Sequence, residues 1–212
     1  MWQPWAYCLE FIFARTGQSV RRVALAVLSV SLLAGCSITP PPNVKVVKPF
    51  DLNRYLGQWY EIARLDHRFE RGLTHVKATY TLKPDGTIEV LNEGFNAQTQ
   101  KPKQAMGQAQ FTGASDEGAL KVTFFWPFYG GYFVADLDPD YQWSMVLGPN
   151  LNYFWILART PTLDEALRER LIQRAQSLGV QTDAIIWVDQ TAHLNVPEPS
   201  VQTPPKTAGS TP

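Results

Sequence analysis

"GQWYEIARLDHRFERG", residues 57–72, opens as a strand, with apolar and polar residues roughly in alternation, and then becomes a charged loop carrying Arg68, Glu70 and Arg71. Alternation with a period of two is the mark of a sheet that buries one face. Working outward from this first strand (59–65), seven more short β-rich runs follow, at 76–82, 87–95, 105–111, 120–125, 132–137, 143–147 and 153–158, with the spacing of an all-β barrel or sandwich. Lys83-Pro84-Asp85-Gly86-Thr87, Gly130-Gly131 and Gly148-Pro149-Asn150 are turn signals between runs, so neighbouring strands should be antiparallel. The period then changes. Thr162 with Glu165 fits a capping box, Leu163, Leu167, Leu171, Ala175 and Leu178 form one apolar stripe, and Gly179 suits a C-terminal cap, which predicts a helix over 162–178. A last short strand is expected from Ala184. The pattern predicts an all-β fold: an eight-stranded antiparallel up-and-down β-barrel with an internal cavity and one C-terminal α-helix packed outside.

The 212 residues suffice for one well-cored domain, placed at 50–189. Residues 1–35 are set aside as a secretory signal peptide, because "RRVALAVLSVSLLAGC" joins a basic pair to a short apolar run and small residues before a Cys. Its apolar stretch, Val23 to Ala34, is well short of the roughly 20 residues that span a bilayer. Val20 is an alternative translation start. Residues 36–49 read as a Pro-containing tether able to extend to about 40 Å, and 190–212, with its prolines and no periodicity, as a disordered tail. Loss of the leader removes three arginines and one glutamate, leaving 16 basic and 18 acidic side chains, so nucleic acid is an unfavoured partner.

Three motifs carry a family resemblance. Gly57-Gln58-Trp59-Tyr60 opens the first strand, Asp138 and Tyr141 lie in the turn after the sixth, and Arg159 ends the eighth. This set resembles the lipocalin family. The stretches "GQWYEIARLDHRFERGL", "FFWPFYGGYFVADLD" and "YFWILARTPTL" resemble its bacterial outer-membrane lipoprotein members. The second motif departs from the usual Thr-Asp-Tyr run, reading Leu137-Asp138-Pro139-Asp140-Tyr141. The resemblance implies that Gly57, Trp59, Asp138, Tyr141 and Arg159 build a closed structural floor, with Arg159 stacked on Trp59. Leu33-Ala34-Gly35-Cys36 resembles a lipobox, which implies that Cys36 is acylated and becomes the first mature residue; Ser37 after it favours the outer membrane, with the domain on the periplasmic face.

With Trp59 at the floor, alternation of the connections puts the loop of Arg68 and Arg71 at the mouth, beside Lys101, Lys103 and the aromatic turn of Trp126, Phe128 and Tyr129. Strand parity turns Ala78, Tyr80, Leu82, Leu120, Val122, Phe124, Tyr132, Val134, Tyr153, Trp155 and Leu157 inward, a largely apolar and aromatic lining. The expected ligands are single-chain amphiphiles, fatty acids or lysophospholipids. Their tails would lie against Ala78, Tyr80, Val122, Phe124, Tyr132, Val134, Tyr153 and Trp155, and their heads near Arg68 and Arg71. The alternative is a structural or interaction lipoprotein with a packed barrel, and a homodimer is left open. No phosphate-cradling or metal-ligating motif occurs, and His67, His75 and His193 are scattered and read as surface or loop residues, so neither an enzyme nor a cofactor or metal is expected.

Overall fold

A computed structural model describes residues 38–191. The leader, Cys36, His193 and nearly all of the tail lie outside them. Strands β1 (Gly57–Arg64), β2 (Leu73–Leu82), β3 (Ile88–Asn96), β4 (Pro102–Phe111), β5 (Ala119–Phe125), β6 (Phe128–Leu137), β7 (Trp143–Leu147) and β8 (Phe154–Ala158) each pair antiparallel with the next. β1 pairs with both β2 and β8, which closes the barrel and leaves no long edge exposed. One helical turn, α1 (Leu52–Tyr55), precedes β1, and α2 (Glu165–Ser177) follows β8. A two-residue strand, β9 (Ile186–Trp187), adds to the mouth end of β1 at Ala63 and Arg64.

Two apolar cores share the wall formed by β1, β7 and β8. The inner one contains Trp59, Tyr80, Ile88, Val90, Ala109, Leu120, Val134, Val146 and Leu157. The outer one packs Leu171 and Ala175 of α2 against Ile62, Ala63, Met145, Leu147, Phe154, Ile156 and Ala158. Because both faces of β7 are covered, all five of its residues are buried, and it reads as a continuous apolar run broken by Ser144 rather than as an alternating one. β4 faces solvent on one side and keeps the alternation, as β2 does beyond its irregularity between Thr74 and Lys77.

The helix starts later than expected. Asp164 is its N-cap, with the carboxylate accepting from Leu167 N, and Thr162 with Glu165 forms no capping box. Asp164 itself is extended (φ −66°, ψ 155°), so the helical turn begins only after it. At the other end Gly179 has φ +90°, with Gly179 N donating to Gln176 O and Val180 N to Ala175 O. A side chain is strained in that conformation, which is why glycine stands there.

The ends of the domain extend beyond the expected limits. Val44 is buried in the outer core, and Val47 donates to Val134 O and accepts from Gly118 N, so the last part of the supposed tether is packed on the barrel wall. Gln190 is buried too, its side-chain amide donating to the carbonyls of Glu61 and Val76.

Candidate functional site: a barrel sealed at one end

The floor is built from three sequence-distant segments. The guanidinium carbon of Arg159 lies 3.8 Å from the centre of the fully buried Trp59 ring. Arg159 donates to the carbonyls of Arg54 (2.7 Å), Gln58 (2.8 Å) and Tyr141 (3.3 Å), while Trp59 Nε1 donates to Tyr55 O (2.7 Å). Asp138 accepts from the backbone of Asp140 and Gln142 and so shapes the β6–β7 turn, and Tyr141 Oη accepts from Asp51 N. Gly57 has φ +89°, and a Cβ there would sit 3.6 Å from Arg159 Nη1. A glycine beside Trp59 therefore serves the backbone turn into β1, in van der Waals reach of the arginine that covers the ring.

Above the floor a chain of hydroxyls crosses the interior. Tyr80 and Tyr132 are 2.9 Å apart, Tyr132 and Tyr55 2.7 Å, and Tyr55 and Ser144 3.1 Å. Burial pushes the Tyr55 phenol up to about 12 and raises Tyr80 and Tyr132 well above the usual range, so all three are neutral donors at ordinary pH.

The next layer corrects the expectation of an apolar lining. Glu61 and Arg64, both of β1, form a buried ion pair of 2.6 Å, their side chains 5% and 2% exposed. A bulge between Glu61 and Ala63 breaks the alternation, so Ile62 and Ala63 both join the outer core and Arg64 returns to the inner face opposite Trp155. Arg64 Nη2 donates to the carbonyls of Glu70 (3.1 Å) and Leu73 (3.0 Å), which clamps the mouth loop to β1. Glu70 itself turns inward and accepts from Trp155 Nε1 at 3.0 Å. Burial raises the Glu61 carboxyl, with Arg64 opposing; burial and then the charge of Glu61 raise that of Glu70 well above the ordinary carboxylate range.

His67 completes the closure and is not a surface residue: it is 4% exposed. Its ring is sandwiched parallel between Phe69 (5.3 Å) and Tyr153 (4.8 Å) and tilted against Trp155 (4.8 Å). Burial, then Arg64, lowers its pKa to about 4. The unfolded chain therefore binds one more proton than the fold between about pH 4 and the ordinary value of 6.5, so stability is full above 6.5 and falls as pH drops through that window, by at most roughly 3 kcal/mol. Glu70, raised instead, acts with the opposite sign above its ordinary value. Denaturant titrations across pH 4 to 7 should give a smaller acid loss in His67→Phe than in the wild type; an identical slope would mean that His67 titrates normally in the fold.

The sequence-derived lining residues divide into three groups. Ala78, Tyr80, Val122, Tyr132, Val134 and Trp155 all lie in or against the inner core. Phe124 is on the inner side near the mouth, where it covers Gly107, whose absent Cβ would meet its ring at 2.7 Å. Tyr153 is engaged with His67 at the rim instead of lining the interior, and Leu82 is exposed at the floor end of β2. At the mouth, Arg71 pairs with Asp66 across the base of the loop (2.6 Å), and Arg68 is exposed. Glu61, Arg64, His67 and Glu70 were missed as interior residues because polar residues in a strand or loop read as outward. The one signal available was the clustering of six charged residues and a His within 61–71.

The inward positions of β2 to β4 include Ala78, Gly94, Ala105, Gly107 and Ala109, small residues on one continuous wall. A separate cleft of about 320 Å³, bounded by Phe50, Arg54, Asp138 and Tyr141, lies outside the barrel beneath the floor.

An antiparallel barrel with a floor built of interlocked side chains and a mouth closed by one loop is the architecture of a binding protein with a single entrance. A lipocalin-like domain model matches residues 50–190, and the chain belongs to the lipocalin family. It is 49% identical over 168 residues to outer membrane lipoprotein Blc of Escherichia coli K12, covering 79% of this chain and 95% of that protein. The namesake lipoprotein of Vibrio cholerae is 46% identical over 172 residues, covering 81% of this chain and 99% of that one. Temperature-induced lipocalin-1 of Arabidopsis thaliana is 35% identical over 181 residues, or 81% and 95% of the two chains. Among solved structures, the cockroach allergen Per a 4 superposes with a TM-score of 0.58 at 20% identity, over 76% of this chain and 99% of that one, a likeness of fold alone.

Proposed function

We propose that this protein is an outer-membrane lipoprotein, acylated at Cys36 and facing the periplasm, which binds single-chain amphiphiles such as fatty acids and lysophospholipids and acts without catalysis, storing, scavenging or moving envelope lipids. The relatives named as outer membrane lipoproteins support the anchor and its location. The observation that carries the binding reading is the contrast between the ends of the barrel. The floor is locked by Arg159 and its three carbonyl bonds, whereas the mouth is closed by loop 65–72, whose side chains Phe69, His67 and Glu70 occupy the upper interior beside Trp155. Withdrawal of that loop would open a space bounded by Trp155, Phe124 and the small-residue wall of β2 to β4, with Arg68 and Arg71 at its edge.

A tail of about 15 methylenes gains at most ~12 kcal/mol from burial, and association costs an estimated ~4 to 15 kcal/mol, less in a preformed site. Micromolar to sub-micromolar affinity is the expected remainder. One chain suits so narrow a barrel better than two. Calorimetric titration of delipidated mature protein with a lysophospholipid and a fatty acid should give saturable heat. Trp155→Ala should weaken binding about tenfold or more, and Arg68→Ala should change the preference among head groups. The second reading, a packed interaction scaffold, is favoured by the buried Glu61–Arg64 pair and the inserted loop; absence of heat at high micromolar ligand would decide for it.

A further inference from the structure

The β5–β6 turn at the mouth exposes its aromatic residues instead of burying them. Trp126 is 76% exposed, Phe128 53% and Phe125 47%, and the Phe125 and Phe128 rings lie parallel with their centroids 6.2 Å apart. Scattered apolar side chains on a surface need no explanation, but three large aromatics contiguous on one turn mark an interaction site. Two other mouth loops, 97–101 next to it and 65–72 across the opening, carry exposed Arg68, Arg71 and Lys101 against one exposed acid, Asp66, since Glu70 turns into the barrel. Aromatic side chains flanked by basic ones suit the boundary between acyl chains and anionic head groups.

We propose that the mouth of the barrel docks on an anionic phospholipid bilayer, with Trp126, Phe125 and Phe128 entering the head-group region and Arg68, Arg71 and Lys101 meeting lipid phosphates. This rests on the acyl anchor proposed above for its geometry. Seven residues lie between Cys36 and Val44, the first residue packed in the outer core, a reach over the eight Cα steps of at most about 29 Å. The ten-residue strands of the wall are about 33 Å long, so a chain held at residue 36 can stand with its mouth on the membrane. A docked mouth would let a single-chain lipid pass between bilayer and barrel without its tail crossing water.

The test uses the mature lipidated protein in phosphatidylcholine vesicles containing about 30% phosphatidylglycerol, with bromine on the upper acyl chain as a quencher of tryptophan fluorescence. Flotation reports the anchor, and quenching reports the docking. The same quenching is measured on Cys36→Ser protein added to preformed vesicles, so that docking is read whether or not the anchor exists. Quenching should occur in both forms, fall by more than about half in Trp126→Ser, and weaken in vesicles of phosphatidylcholine alone. Equal quenching in Trp126→Ser, or none in either form, would overturn the proposal. So would a dimer in native mass spectrometry that Trp126→Ser abolishes, which would make the tip a contact between two copies of this chain. Failure to float with quenching retained in Cys36→Ser protein would refute the anchor and leave the docking surface standing.

Discussion

Arg64→Met is expected to destabilise the barrel by about 3–5 kcal/mol, because it strands the Glu61 carboxylate inside the inner face and removes the side-chain donor that ties together the carbonyls of Glu70 and Leu73. For a domain of this size that is a large share of a total near 5–15 kcal/mol, and each kcal/mol moves Tm by roughly 2–4 °C. The pair is not itself a large source of stability, since desolvating both charges offsets most of their attraction. Removing both charges together, in Glu61→Met with Arg64→Met, should therefore recover much of the loss. A pH series separates the electrostatic cause from mere packing. Without Arg64 the Glu61 carboxyl rises further above its unfolded value, so the penalty relative to wild type is present above about pH 4.5 and shrinks as pH falls towards it. A deficit independent of pH and undiminished in the double variant would show that lost packing, not the stranded carboxylate, is responsible.

Trp59→Ala should cost a comparable 3–5 kcal/mol, as expected for a fully buried large aromatic whose removal leaves a cavity. Here the cavity opens beneath the Tyr55 ring, 4.7 Å away, and the indole donor to Tyr55 O is lost as well. Arg159 keeps its carbonyl bonds but loses the ring it covers. A double-mutant cycle with Arg159→Met isolates that contact and should return a coupling of about 1–2 kcal/mol, since the guanidinium is partly screened at the floor. Additive losses would mean that the stack contributes nothing and that Arg159 acts through its hydrogen bonds alone. Neither substitution touches the mouth, so ligand affinity in the surviving folded fraction should change little.

The barrel itself was determined by the sequence taken alone, because its signals are local. Period-two alternation in strands such as β2 and β4, turn residues at Lys83 to Thr87, and the apolar stripe ending at Gly179 each act within a few residues of one another. The floor roles of Gly57, Trp59 and Arg159 were legible through the family resemblance, and the structure gives their physical ground: a positive φ, a large ring and a cation at fixed strand ends, which few residue types supply. Tertiary structure decided the contents of the interior. Glu61 shares the inward parity of Trp59 and reads as outward only because it is charged, whereas Arg64 reads as outward until the bulge after Glu61 shifts the parity beyond it. His67 and Glu70 lie in a loop, where sequence assigns polar residues to solvent, and only the clamp of Arg64, the indole of Trp155 and the ring of Tyr153, brought together from β1 and the start of β8, turn them inward. The hydroxyl chain of Tyr80, Tyr132, Tyr55 and Ser144 likewise draws on four segments that no local pattern connects. A buried polar group must find its partner, and when that partner lies 77 or 89 residues away along the chain, folding alone places it.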